Sequence, residues 1–130
     1  MEAVILAAGK GTRMHSQLPK VLHTIGSKPM LAHVIDSAES AGARKIHIVV
    51  GNDGEQVKAQ ILNSASQVEA SWVIQKEQLG TAHAVLQAVP YFETKAQGDH
   101  ILVLYGDVPL IKPATLRQLL ASTRAGAIGI

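Results

Sequence analysis

The sequence predicts an α/β domain with a mostly parallel central sheet and helices on both faces. Three observations carry that prediction. Short apolar runs alternate with helical patterns along the whole chain, and strand–helix alternation is the pattern of a parallel sheet. The runs are partly β-branched and bounded by glycine or polar turns, as buried parallel strands are. The first run breaks directly into Gly9 and Gly11, with Lys10, Arg13 and Lys20 clustered around and after the break. Glycines let a backbone turn sharply and approach a ligand closely. The exposed N–H groups of such a turn form an anion site, to which nearby cations add charge.

The predicted strands cover residues 4–8, 46–50, 72–74 and 101–105. Between them, Met30, Leu31, Val34, Ile35 and Ala38 make one apolar helical face, entered by Pro29 in the first turn and closed by Gly42. Val57, Ile61 and Leu62 indicate a second helix. A third, through Ala82, Val85, Leu86 and Val89, stops at Pro90, and a fourth, through Leu116, Leu119 and Leu120, opens at Pro113. Ligands of such sheets sit beyond the carboxyl ends of the strands. The segments 9–20, 75–81 and 105–107 all follow predicted strands there, so topology brings them together.

Composition narrows the class. The chain of 130 residues is one domain, long enough to bury roughly two thirds of its unfolded surface. It has no cysteine, so disulfides and cysteine metal sites are excluded. His15, His23, His33, His47, His83 and His100 form no i, i+4 pair, which argues against zinc. No serine sits in a Gly-x-Ser-x-Gly elbow. A net charge of +2 without a basic stripe, and 3% aromatic residues, argue against nucleic acid. No apolar run approaches a membrane span, and Met1-Glu2-Ala3-Val4 lacks the basic region of a secretory signal. The expectation is a soluble cytoplasmic enzyme.

The glycine loop fits neither standard phosphate pattern. A dinucleotide fingerprint needs glycine where Met14 stands, and a Walker A loop needs glycine where Val4 stands. A plain strand-to-helix turn with surface cations remains the alternative. The full string Leu6-Ala7-Ala8-Gly9-Lys10-Gly11-Thr12-Arg13-Met14, followed by Pro19-Lys20, resembles the signature of sugar-1-phosphate nucleotidylyltransferases. Two further segments narrow the likeness: Gln75-Lys76-Glu77-Gln78-Leu79-Gly80-Thr81-Ala82-His83-Ala84 and Tyr105-Gly106-Asp107-Val108-Pro109. Together they are similar to the uridyltransferase part of the bacterial bifunctional N-acetylglucosamine-1-phosphate uridyltransferase/glucosamine-1-phosphate acetyltransferases. The likeness covers essentially the whole chain.

That resemblance implies a Rossmann-like fold of the nucleotide-diphospho-sugar transferase type. It also implies uridylyl transfer from UTP to N-acetylglucosamine 1-phosphate, giving UDP-N-acetylglucosamine and pyrophosphate. Such a reaction needs positioning and positive electrostatics around the transferring phosphate. By resemblance, Arg13 contacts the phosphates that leave and Lys20 stabilises charge near the α-phosphate. Lys10 is also read as a solvated loop charge. By resemblance, Leu6, Ala7, Ala8 and Gly80 contribute backbone groups to the nucleotide and Thr81 its hydroxyl, and Gly9, Gly11, Thr12 and Gly106 also belong to the nucleotide-binding set. Gln75 offers donor and acceptor on one amide, which suits a uracil edge. Gln78 could do the same, but the family pattern places the base at Gln75. Tyr105 lies near the sugar phosphate by resemblance, whereas as a strand residue alone it reads as core. Asp107, between a glycine and a proline turn, is the candidate Mg²⁺ ligand, with a turn-forming role as the alternative.

The family's uridyltransferase region is longer than this chain, and its bifunctional members add a trimerising left-handed β-helix with acetyltransferase activity. Residues 1–130 therefore read as the N-terminal nucleotide-binding part of a truncated domain. The sugar pocket and the second Mg²⁺ ligand are expected beyond it, and the final Gly126-Ala127-Ile128-Gly129-Ile130 reads as a strand cut short. The parent enzyme is expected to be a homotrimer. The alternatives are a related nucleotidylyltransferase with another base or sugar phosphate, or an inert nucleotide-binding fragment.

Overall fold

The computed structural model describes residues 1–9, 17–64, 69–93, 99–124 and 126–130. Lys10, Gly11, Thr12 and Arg13 of the glycine loop lie outside the described residues. In chain order the elements are β1 (Glu2–Leu6), β2 (Thr24–Ile25), β3 (Lys28–Pro29), α1 (Met30–Ser40), β4 (Lys45–Val50) and α2 (Gly54–Leu62). They continue with β5 (Glu69–Ile74), α3 (Thr81–Ala88), β6 (Ile101–Tyr105) and α4 (Pro113–Ser122). Four strands form one parallel sheet in the order β5-β4-β1-β6, and β2 and β3 form a small antiparallel pair.

The topology follows from two physical constraints. Crossovers between parallel strands keep one hand. The chain steps from β1 outward to β4 and β5, then returns past β1 to lay β6 on its other side. Reversing the direction of travel while keeping the hand moves the crossover helix to the opposite face. The packing agrees. Leu31, Val34 and Ile35 of α1, Val57 and Ile61 of α2, and Leu116 of α4 share one buried cluster with Ile5, Ile46 and Ile48. Ala84 and Ala88 of α3 pack on the other face with Val4 and Val49. Successive side chains of a strand point to opposite faces, so Val4 and Ile5 serve different clusters.

Helix α1 ends as expected. Ala41 follows its last turn, and Gly42 takes a φ of 106° that only glycine adopts without strain. The Gly42 N–H donates to the Glu39 carbonyl at 2.9 Å and the Ala43 N–H to the Ala38 carbonyl at 3.0 Å, closing the last turn.

Several sequence expectations are corrected. The first strand starts at Glu2 and ends at Leu6, so Ala7 and Ala8 lie past it. Pro29 precedes α1 with ψ 145° rather than sitting inside its first turn, because it completes the β2–β3 pair. Helix α3 buries Ala84 and Ala88, whereas Leu86 and Val89 are exposed. Small residues let that helix sit close against the sheet. Leu62 is likewise exposed at the end of α2. Pro90 lies in a single 3-10 turn, Val89–Tyr91, that continues α3. Strand β6 is an edge strand with alternating burial rather than a fully buried one, since no strand pairs its outer side among the described residues.

One polar pair holds the amino-terminal end of the sheet. Glu2 on β1 and His47 on β4 are buried, with Oε2 and Nε2 2.6 Å apart. The other Glu2 oxygen accepts from the Glu93 backbone N–H at 2.9 Å. Phe92 packs edge-on against the imidazole, with ring centroids 5.2 Å apart. Beside them, the Lys45 ammonium donates to Glu93 and lies 3.7 Å from Glu69. The Glu93 hydrogen bond, with Glu69 and Glu2 nearby, raises the Lys45 pKa above the ordinary lysine value.

Candidate functional site

In a doubly wound sheet the crevice opens where consecutive crossovers leave in opposite directions. Here that point lies between β1 and β6. A cavity of about 460 Å³ sits there, within the range of small-molecule sites. Leu6, Ala8 and Gly9 enter it from the end of β1, and Lys20 and Val21 from the 3-10 turn Lys20–Leu22. Gln75, Gln78 and Gly80 come from the segment between β5 and α3, Thr81 and Ala84 from the start of α3, and Tyr105 and Asp107 from the end of β6.

Local backbone chemistry places these groups. The Gly106 N–H donates to the Leu6 carbonyl at 2.9 Å, clamping the end of β6 onto β1. A Cβ at Gly106 would stand 3.2 Å from that carbonyl oxygen, 3.2 Å from Val21 Cγ1 and 3.3 Å from Leu31 Cδ1. Only glycine fits this approach without displacement, and Tyr105 and Asp107 take their places from the clamp. Gly106→Ala is therefore expected to destabilise the domain by about 1–3 kcal/mol, measured by chemical denaturation. An unchanged midpoint would mean that the clamp is looser than its distances.

Gly80 has φ 101° and ψ 177°, a combination essentially restricted to glycine. It turns the chain into α3 and brings Thr81 to the cavity. The Gln75 N–H donates to the Val50 carbonyl at 2.8 Å, so the segment begins as an extension of the β4–β5 ladder. Gln78 reaches back across the cavity floor and donates its amide to the Ala8 carbonyl.

Lys20 and Asp107 are the two charged residues among the described lining. Their Nζ and Oδ2 atoms stand 2.8 Å apart, and both side chains are partly exposed. Such a pair contributes little to stability. It does hold a cation and a carboxylate together at the mouth of the crevice, each ready to exchange partner. No group of three or more acidic or histidine side chains that could hold a metal occurs among the described residues. A hard cation bound with substrate phosphates needs only one or two protein carboxylates and keeps several waters. Asp107 fits that requirement.

Of the residues singled out in the sequence, the cavity brings together Leu6, Ala8, Gly9, Lys20, Gln75, Gly80, Thr81, Tyr105 and Asp107. Tyr105 is 51% exposed and belongs to the site rather than to the core. Ala7 is buried, is not part of the lining, and gives its N–H to the Val49 carbonyl at 2.8 Å, while the Leu6 carbonyl accepts from Gly106. One N–H and one carbonyl of this segment are thus engaged within the sheet. Gly106 acts behind the lining, through the clamp. Gly11, Thr12 and Arg13 lie outside the described residues. The sequence reading missed Val21 and Ala84 as apolar walls, for which it holds no signal. It also passed over His83, which touches Gln75. Its place one turn into a helix opened by Gly80 was the available clue.

An all-parallel sheet with a nucleotide-sized crevice at its switch point defines the class, and comparison with known proteins gives it as nucleotidyltransferase. Residues 3–129 match the MobA-like NTP transferase domain, and the chain belongs to that family. Among solved structures it is similar to Rv0371c from Mycobacterium tuberculosis H37Rv, with 28% identity, a TM-score of 0.73, and coverage of 92% of this chain and 58% of that one. A manganese complex of the same protein matches at 25% identity and a TM-score of 0.72, covering 92% and 57%. A UDP-glucose pyrophosphorylase complexed with UDP-glucose shares the fold, with 23% identity, a TM-score of 0.73, and 92% and 52% coverage. The inositol-1-phosphate CTP transferase from T. maritima matches at 25% identity and a TM-score of 0.69, covering 82% and 43%. The fold is thus that of nucleotide-diphospho-sugar transferases, and the chain spans about half the length of these relatives. No helix among the described residues is long and apolar enough to cross a membrane.

Proposed function

We propose that the cavity binds UTP and that the whole protein transfers its uridylyl group to N-acetylglucosamine 1-phosphate. Pyrophosphate would leave and UDP-N-acetylglucosamine would form. The observation that carries this reading is the meeting, in one crevice, of a buried amide at Gln75 with the Lys20–Asp107 pair. The amide suits a base edge and the pair suits a phosphate chain with its counter-ion. Residues 1–130 would form the nucleotide-binding part of the domain, and the relatives, about twice as long, leave room for an acceptor half. A trimer through a β-helix belongs to the same proposal for the whole protein.

In this reading Lys20 Nζ exchanges its carboxylate partner for oxygens near the α-phosphate and stabilises the charge that develops there. Arg13 contacts the phosphates that depart. Asp107 would hold Mg²⁺, which when bound supplies positive charge against the triphosphate. The manganese complex of Rv0371c supports a divalent cation in this family. Tyr105, exposed at the cavity edge, would lie beside the sugar phosphate. The apolar walls Leu6, Val21 and Ala84 exclude water from the base and strengthen each polar contact.

Pyrophosphate release from UTP, N-acetylglucosamine 1-phosphate and Mg²⁺, compared across CTP, GTP and other sugar phosphates, tests the proposal. Preference for UTP and this acceptor supports it, and preference for another pair overturns the substrate assignment. Cytidylyl transfer is the second reading, favoured by the likeness to a CTP transferase. Lys20→Met should weaken triphosphate binding by roughly ten- to a hundredfold, the worth of a charge-assisted hydrogen bond. Unchanged affinity in calorimetry would remove Lys20 from the site. Gln75→Ala should reduce preference among bases more than it reduces overall affinity, since phosphates dominate the binding energy. Equal losses for UTP and ATP would make Gln75 structural.

A further inference from the structure

Gln75 does not stand alone. Its amide nitrogen lies 2.9 Å from His83 Nδ1 and 3.4 Å from the Gly80 carbonyl oxygen. On the far side of the ring, the Gln87 amide lies 3.2 Å from His83 Nε2. A carbonyl only accepts, so the Gln75 group beside Gly80 is its NH₂. Its second hydrogen then goes to His83 Nδ1, which must be the bare nitrogen of a neutral imidazole. Such a ring accepts at one nitrogen and donates at the other. The Gln87 amide nitrogen also lies 3.4 Å from the His83 backbone carbonyl oxygen. With the ring proton on Nε2, Gln87 gives up that longer contact and turns its oxygen to meet the ring. Gln75 is 4% exposed while Gln87 is half-buried, so Gln87 is the amide with freedom to turn.

Both hydrogens of the Gln75 amide are now engaged, by Gly80 and by His83. What Gln75 has left to offer the cavity is Oε1, an acceptor only. Without His83 only the longer 3.4 Å contact to the Gly80 carbonyl would hold the amide, and its orientation toward the cavity would be far less fixed. We propose that His83 is a positioning residue that locks the Gln75 amide with its oxygen toward the cavity. The site then selects a base carrying an N–H at that point, as the imide of uracil does, over one whose N–H is blocked or replaced by a lone pair. This rests on the reading that the cavity takes the base of a nucleotide. It adds to that reading a residue outside the cavity lining, on the first turns of α3.

The test measures binding of UTP, N3-methyl-UTP and CTP to the purified chain and its variants by calorimetry, with a melting curve for each. The unaltered protein should prefer UTP over N3-methyl-UTP by about tenfold or more, the worth of one buried hydrogen bond. His83→Ala should bring that ratio to near parity while leaving the melting transition cooperative. His83→Leu fills the same space without an acceptor and should do the same, which covers an alanine variant that does not fold. His83→Asn places an oxygen where Nδ1 stood and should restore the preference, a rescue that a merely structural role would not require. If the alanine and leucine variants keep the full preference, the positioning role is wrong. Equal binding of UTP and N3-methyl-UTP by the unaltered protein also overturns it, leaving nucleotide binding intact. Failure to bind any of the three nucleotides overturns the proposed function and this inference together.

Discussion

Asp107→Asn is expected to abolish the gain in triphosphate binding that Mg²⁺ brings, while binding without the metal stays equal or becomes tighter. The reason lies in the 2.8 Å contact between Asp107 and Lys20. Without a cation, the carboxylate both neutralises Lys20 and repels an incoming phosphate. Asparagine keeps the shape and one carbonyl oxygen, loses the charge that a hard cation needs, and frees Lys20 for the nucleotide. Metal-dependent affinity should fall by roughly ten- to a hundredfold, the worth of a charged contact. In the whole protein, turnover should fall at least as far. Calorimetric titrations with UTP, in Mg²⁺ and in chelator, separate the two effects. If the variant loses affinity equally in both conditions, Asp107 supports the loop rather than a cation.

Glu2→Ala should be the most destabilising single change at the other end of the sheet, by about 2–4 kcal/mol. Truncation strips the buried His47 of its 2.6 Å partner and leaves the Glu93 N–H without its acceptor. His47 Nδ1 has no partner among the described residues, so the ring would lose the contact given to its other nitrogen. Against a total stability of roughly 5–15 kcal/mol for a domain, this is a large share. Chemical denaturation measures it, and a loss below about 0.5 kcal/mol would mean that the pair is dispensable. Nucleotide affinity of the folded variant should not change, because the cavity lies at the opposite end of β1.

Much of the fold was readable because parallel strands bury both faces and so appear as plain apolar runs. Residues 46–50 stand out for that reason, residues 101–105 form an apolar run although β6 alternates in burial, and Gly42 marks the end of α1 by the conformation it adopts. Glu2 was not read as a strand residue, since a charge at a strand's start signals exposure until its partner is known. That partner stands 45 positions away. The face of α3 was misread because periodicity favours large apolar residues, whereas close contact with the sheet selects Ala84 and Ala88. The site was legible where chemistry is local, as in the Gly106–Asp107 turn. It was not legible where the chain folds back on itself.

The sequence by itself determined the order of the four sheet strands and four helices, the parallel sheet, and which three segments must gather beyond its carboxyl edge, but not the β2–β3 pair. Those follow from local periodicity and glycine placement, which act within a few residues. Only the tertiary structure decided that Lys20 pairs with Asp107 across 87 positions, that the backbone of Leu6 and Ala7 serves the sheet, and that His83 holds Gln75. The first two depend on distances between segments remote in the chain, and the third on how the Gly80 turn folds residues 75–83 back on themselves. Such distances are set by the packing of α3 and β6 against β1, and no local pattern encodes them.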